Sequence, residues 1–524
     1  MADGEGFSIG EPDDEGDGAG NAEDAPQKGG KRGRKPRQKD EMTRALAELH
    51  FWRNQDGIAF VSVPVWGHQR REHMRVNSRE FRQWVTLAYF RATERGLSGQ
   101  AQAEAVSLAE ARALDSGETR HAWRRVALGD DGATIFLDLG SGDPRGERRA
   151  VKITAAGWEV VDPEAVPVAF LRAADALPLP EPEADAAKLG DLRRFVNVAG
   201  DDDLALAWAW IVCALRPFAA GGAYPILCVH GEHGTGKSQA TRFLQGMVDP
   251  STMTGRALPR EERDLFASGG NRHVLAFDNV SVMPDAFGDC FSRIATGGAV
   301  SSRALHTDAD ESILSALKPI LLNGIPATLT GRPDMASRTL SLELERLKDR
   351  RPERELIADY EAARPGLLGL ACDGLASALR NLGRITLAED VRMMDAAMWA
   401  EAAAEGLGIP AGTISGAWVA NRTAADRALV ESDELALAVA KLLGDAESCT
   451  SPGEWRGSPS DLFFKLGVHA SDQAKRGPQW PKGPAGMGTR LRRLAPPMRV
   501  VFGIDVQPGK GGADSRRFWV LRQL

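Results

Sequence analysis

The chain has 524 residues, of which 43% are hydrophobic and 26% charged, and its formal net charge is −7. That length holds roughly three domains at about 150 residues each, and the balance is ordinary for a globular protein that buries real cores. The acidic total excludes a uniformly basic nucleic-acid coat. Five scattered cysteines without a CxxC pair exclude a zinc ribbon of the usual spacing and a disulfide framework, which fits a reducing cytoplasm.

The amino-terminus is acidic and Gly-rich, not basic and then apolar, so no secretory signal is expected. Residues 1–40 are expected to be a disordered tail. Nine acids among the first 24 residues, with few apolar groups, cannot offset the entropy of ordering. The sign then flips: "KRGRKPR", residues 31–37, holds five basic residues in seven. Its Arg-Gly-Arg beside Pro resembles the AT-hook, which lies in the minor groove of A·T-rich DNA; the alternative is a solvated stretch that partly neutralises the acids.

Residues 41–176 read as an α/β domain. "GIAFVSVPVW" alternates like a strand, "SREFRQWVTLAYFRATERG" has helical spacing, and "GATIFLDLGS" and "RRAVKITAAGWEVV" read as strands. Asp138 has no second acid two positions away, so no two-metal primase site is supported. Residues 177–186 form a Pro-rich linker. Residues 204–215 are the longest apolar run; twelve residues make a helix of about 18 Å, too short for a bilayer. A buried helix without membrane contact is expected. The domain that contains it spans 187–348, a helical segment follows at 349–432, and a small basic domain occupies 433–524.

"GEHGTGKS", residues 231–238, satisfies G-x-x-x-x-G-K-[ST], with the apolar "YPILCVH" before it and the helical "SQATRFLQGMV" after it. Glycines let backbone N–H groups turn inward around phosphate, and the helix N-terminus adds positive potential. Gly231, Glu232, His233, Gly234, Thr235, Gly236, Lys237, Ser238 and Gln239 are therefore the candidate ATP-binding residues, with Lys237 on the β/γ oxygens and Ser238 on Mg²⁺. Forty-one residues after Lys237, "HVLAF" ends in Asp278, the candidate second metal-side group. "KPILLNGI" ends its apolar run on Asn323, a polar group that needs a partner when buried; the attacking water or the γ-phosphate fits. Arg332 and Arg338 follow, either of which could neutralise transition-state charge in a neighbouring subunit.

The order 231–238, Asp278, Asn323, Arg338 resembles the superfamily-three helicase branch of AAA+ ATPases, found in viruses, phages and mobile elements. The segments "GEHGTGKS", "LAFDNVS", "RIATGGA", "LLNGI" and "GRPDMASRTL" carry the likeness. It implies a P-loop AAA+ core with a parallel sheet, a hexameric ring that hydrolyses ATP, and DNA, single-stranded, in a central channel. It also implies Asn323 as sensor and Arg338 as trans-acting finger. A channel hairpin matches "VSSRALHTDADESIL", with Arg303 and His306 as DNA-facing candidates; the alternative is a solvated hairpin.

Asn279 stands where many such enzymes carry Glu, and an amide cannot accept the water's proton. Positioning and electrostatics dominate phosphoryl transfer, so a slow or DNA-stimulated ATPase is expected. The second reading is a nucleotide-gated DNA-binding regulator or defence component that uses ATP to set its assembly state.

From Ser432 onward, three helices and then two strands, "MRVVFGIDV" (residues 498–506) and "RRFWVLRQL" (residues 516–524), follow the order of a winged helix. Residues 475–524 hold eleven Lys/Arg against two Asp. Arg490, Arg492 and Arg493 fall on the third helix, which in that fold enters the major groove of duplex DNA. Lys510, Arg516 and Arg517 flank the wing, where phosphates would pass.

Overall fold

A computed structural model describes residues 38–524 except 69, 141–147, 221, 281–282, 304–310, 316, 325–332, 348, 390, 478–479 and 512–515. The acidic and basic tail up to Arg37, with its AT-hook-like stretch, lies outside the described residues, as do His306 and Arg332. Residues 38–40, expected in the tail, are helical. A helix, Gln38–Ala45, begins there because Met42 and Ala45 turn one face into a core with Leu46.

The chain divides into two compact units, one of residues 1–127, 141–149 and 161–172, the other of 128–140, 150–160 and 173–524. In the first unit, strands His50–Arg53, Ala59–Pro64 and Arg71–Arg75 form an antiparallel sheet. Helices Arg79–Thr93 and Gly99–Asp115 follow, each begun by a serine whose hydroxyl accepts a backbone N–H, Ser78 from Phe81 and Ser98 from Ala101. Phe81, Trp84, Val85, Ala88 and Tyr89 recur at helical spacing and are buried in this unit's core.

The second unit is built on four parallel strands in the order Leu275–Val280, Ile320–Gly324, Ile226–His230, Thr339–Glu343. Covered on both faces, such strands are apolar throughout instead of alternating; Ile226, Leu227, Cys228 and Val229 are all fully buried. Helix Asp201–Ala214 is the long apolar run. It is apolar all round because it is buried all round, and Trp399 Nε1 donates to Val212 O at 3.0 Å. The helical segment comprises Glu353–Asn381, Met394–Leu407 and Thr413–Ser432. Asn421, on the last of these, caps the sheet's outer strand. Its side chain accepts from Ser341 N–H at 3.0 Å and donates to Ser341 O at 2.6 Å, standing in for a missing strand partner.

Two expectations differ here. The Pro-rich stretch 177–186 is packed within this unit: Leu179 N–H donates to Leu139 O at 2.7 Å and Glu183 N–H to Pro365 O at 3.0 Å. In the carboxyl-terminal part, residues 498–502 were expected in a strand, but helix Pro484–Phe502 continues through them, because Leu494 and Met498 keep the helical spacing into the core. Strand Glu454–Gly457, between helices Glu434–Gly444 and Pro459–His469, was not expected. It pairs antiparallel with Arg516–Gln523, which pairs antiparallel with Ile504–Gly511. No helix among the described residues is long and apolar enough to cross a membrane.

Candidate functional site

In an open parallel sheet, ligands bind beyond the carboxyl ends of the strands. At that edge here, the strand Ile226–His230 runs into the glycine loop and then into helix Lys237–Val248. Loop geometry demands glycine at 231: its φ is +152°, and a Cβ there would stand 2.8 Å from Leu344 O and 2.9 Å from Thr235 Oγ1. Thr235 is buried, its hydroxyl donating to Glu232 O at 3.0 Å, which closes the turn. Lys237 Nζ donates to Gly231 O and Glu232 O, each at 2.8 Å. The ammonium thus lies over the loop's own carbonyls. Glu232, His233 and Ser238 are exposed at this edge, while Gly236 and Gln239 are half-buried.

Ser238 Oγ donates to Asp278 Oδ1 at 3.1 Å. The two are 40 residues apart in sequence, and the sheet order brings them together across the intervening strand Ile320–Gly324. Two adjacent oxygen donors suit a hard divalent cation that keeps most of its waters, such as Mg²⁺. Asp278 is itself aligned by backbone: its N–H donates to Arg256 O at 2.9 Å, and Arg256 N–H donates to Ala276 O at 3.2 Å. Arg256 and the buried Arg272 both pair with Asp175, so this clamp is anchored behind the acid.

Asn279 has φ +55°, the left-handed region that Asn tolerates better than most residues. It lies where the register with the neighbouring strand shifts between Phe277 and Val280. Its N–H donates to Asn323 Oδ1 at 2.6 Å, and Asn323 Nδ2 donates to Thr241 Oγ1 at 3.0 Å. Thr241 in turn donates to Lys237 O at 2.9 Å. Asn323 is 1% exposed. The amide expected to face water or γ-phosphate is therefore occupied, and it links the strand bearing Asp278 to the helix bearing Lys237 and Ser238.

Burial holds the His230 imidazole below its ordinary pKa, opposed by Glu343 and assisted by Lys237. Burial next to Glu343 pushes Asp203 up to about 6. Sequence reasoning missed residues that close over the loop. Arg350 Nη2 is 3.1 Å from where a Gly234 Cβ would stand, and Leu347 Cδ1 is 3.5 Å from that of Gly236. They belong to no motif, and only the return of the outer strand to the loop brings them there.

Arg338 is not brought to this site. Its carbonyl accepts from Ile226 N–H at 2.9 Å, at the amino end of the strands, about 16 Å from the loop at the usual rise per residue. Its guanidinium Nη1 donates to Asp334 O at 2.7 Å. Arg303 ends the first strand of a hairpin, Ala299–Arg303 with Glu311–Ser315, in register opposite Glu311; its tip lies outside the described residues.

The basic groups of the carboxyl-terminal part divide. Arg490, expected to face DNA, is instead held by Asp433, with Nη2 at 2.6 Å and Nε at 3.2 Å from Oδ2. Asp433 Oδ1 caps helix Glu434–Gly444 through Leu435 N–H and Ala436 N–H, so the arginine neutralises a buried capping carboxylate. Arg492 is exposed and lies over the Trp519 ring at 5.7 Å. Arg493, Lys510 and Arg517 are exposed, and Arg516 begins the last strand.

No curated protein matches the chain. Among solved structures, the chain is similar to one described as SCCmec type IV Cch, active helicase, with 12% identity over 90% of this chain and 92% of that one and a TM-score of 0.48. It is also similar to the apo structure of the NrS-1 C terminal region, with 9% identity over 92% and 98% and a TM-score of 0.38. At such scores neither likeness carries an activity over to this chain. The family comparisons cover well over half of it: residues 189–422 match the actinomycete integrative conjugative element replication protein, and residues 435–524 match that protein's C-terminal domain. Over these residues the chain belongs to the replication protein family of actinomycete integrative conjugative elements.

Proposed function

We propose that this replication protein is an ATP-dependent DNA helicase or translocase of AAA+ type, with a P-loop core and a winged-helix carboxyl-terminal domain. The observation that carries the reading is the meeting of the glycine loop, Lys237 and the Ser238–Asp278 pair at the carboxyl edge of one parallel sheet. Residues 231–239 would hold the phosphates of ATP. Lys237 would leave the carbonyls of Gly231 and Glu232 for the β/γ oxygens, exchanging two weak acceptors for a full negative charge. Ser238 and Asp278 fit Mg²⁺, which when bound supplies charge neutralisation at the phosphates. Asn279 and Asn323 would set the spacing between Asp278 and the loop helix.

Arg338, turned away from its own chain's site, suits a role in a neighbouring subunit, which favours a homo-oligomer, hexameric by the resemblance. Arg332 is the alternative finger. DNA, single-stranded in the channel, would meet Arg303 and His306, and duplex would meet Arg492, Arg493, Lys510, Arg516 and Arg517. The second reading, a nucleotide-gated regulator with little turnover, is favoured by one observation: residue 279 offers an amide, not a carboxylate, beside Asp278.

The test is ATP turnover with and without single-stranded DNA, alongside mass measurement with and without ATP. Turnover that rises with DNA and is lost in Lys237→Ala supports the helicase reading. A rate equal to that of Lys237→Ala, with ATP-dependent assembly, overturns it in favour of the regulator.

A further inference from the structure

Helix Arg79–Thr93 has a second face that the core does not use. Arg79, Arg82, Leu87 and Phe90 recur at helical spacing opposite the buried Phe81, Trp84 and Val85. With Arg95 and Gly96 they line an open groove of about 420 Å³, room for a few side chains and not for a domain. Leu87 is 43% exposed and Phe90 53%. Among the described residues, none of the guanidiniums of Arg79, Arg82 and Arg95 pairs with a carboxylate. The floor is thus apolar and both ends are cationic.

The first described residue sits at this groove's rim. Gln38 Nε2 donates to Gly96 O at 3.0 Å, and Ser98 N–H donates to Gln38 Oε1 at 3.1 Å. The 37 residues before it begin with an acidic stretch that contains no Lys or Arg up to Asp24. Within it, Glu5, Phe7, Ile9 and Glu11 alternate with small residues, so an extended backbone puts all four on one side. Two apolar groups flanked by carboxylates complement two apolar groups flanked by arginines. The intervening residues, at up to about 3.3 Å each, span the distance easily, and tethering raises the local concentration to about the millimolar range.

We infer that the acidic amino-terminal segment of this chain, centred on Phe7 and Ile9, docks in the groove formed by Arg79, Arg82, Leu87, Phe90 and Arg95. Phe7 and Ile9 cover Leu87 and Phe90, while Glu5 and Glu11 meet the arginines. While it is docked, these three arginines are withheld from other polyanions, nucleic acid included. The inference uses only the first unit and does not depend on the nucleotide site.

The test uses the full chain with the photo-crosslinking analogue benzoyl-phenylalanine in place of Phe7. Irradiation is expected to join position 7 to residues 79–96 of the same chain, with the yield reduced at about 1 M salt, where the screening length is about 3 Å. Arg82→Glu with Arg95→Glu is expected to lower the yield roughly tenfold, as loss and reversal of a few exposed ion pairs would. Adding Glu5→Arg and Glu11→Arg to that variant is expected to restore the yield, which also shows that the variant folds. Crosslinks elsewhere, a yield indifferent to charge reversal, or crosslinks only between isotopically distinct copies would each overturn the inference.

Discussion

The backbone N–H of Asn279 donates to the side-chain oxygen of Asn323 at 2.6 Å, tying the strand end that bears Asp278 to the strand beside the glycine loop. Because the donor is backbone, any residue but proline at 279 could make this bond. What limits the choice is φ +55°, where a side chain other than Gly or Asn costs about 1–2 kcal/mol.

Replacing Asn279 separates conformation from chemistry. Asn279→Gly is expected to keep the melting temperature and to change turnover little. Asn279→Glu is expected to lose about 1 kcal/mol of stability without accelerating turnover, measured by urea denaturation and ATPase rate. A faster Glu variant would show that a carboxylate base is what the site lacks.

Asn323→Leu removes the acceptor of the part-buried Asn279 N–H and the buried donor to Thr241 Oγ1, which keeps only its bond to Lys237 O. The expected loss is about 2–3 kcal/mol, read from denaturant midpoints. A group that only sensed nucleotide would leave the midpoint of the nucleotide-free protein unchanged.

Gly255 lies against the acid. Its φ is +58°, and a Cβ there would stand 2.8 Å from Asp278 Cβ. Gly255→Ala is expected to displace Asp278 from Ser238, lowering Mg²⁺-dependent nucleotide affinity about tenfold, while the chain still folds at a cost of about 1 kcal/mol. Titration with and without Mg²⁺ checks this.

In the carboxyl-terminal part, Arg490→Ala strands a buried capping carboxylate and is expected to lower stability by about 3 kcal/mol. Arg492→Ala with Arg493→Ala is expected to leave stability nearly unchanged while weakening DNA binding and reducing its salt slope by about 2. Thermal melts and DNA titrations at several salt concentrations distinguish the pair from Arg490.

Asp203 gives a pH signature. Its folded pKa is raised from 3.8 to about 6, by burial first and by Glu343 second. The folded chain therefore holds this proton more tightly than the unfolded chain. Its contribution favours folding at low pH and is lost as pH rises from about 4 through about 6. Asp203→Asn is expected to raise the melting temperature at pH 7.5 and to leave it unchanged near pH 4.

The strand, glycine loop and helix around Lys237 were legible in the sequence because their determinants are contiguous: an apolar run, glycines at set offsets, and a helical pattern. The buried helix 201–214 was legible for the same reason, its composition being apolar on every side. Asp278 was visible as an acid ending an apolar run. The rest depended on partners far away in the chain. Asn323 and Asn279 are 44 residues apart, Asn323 and Thr241 82, and Arg490 and Asp433 57. A sequence displays a polar residue's type but not the direction in which packing turns it. Asn323, expected to face water or phosphate, bonds Asn279 and Thr241, and Arg490, expected to read a groove, bonds the capping Asp433. Sequence alone determined that a glycine-rich loop precedes a helix and that an acid follows on a later strand. Only the tertiary structure decided which strand lies between them, because strand order is set by the burial of whole faces and not by any local pattern.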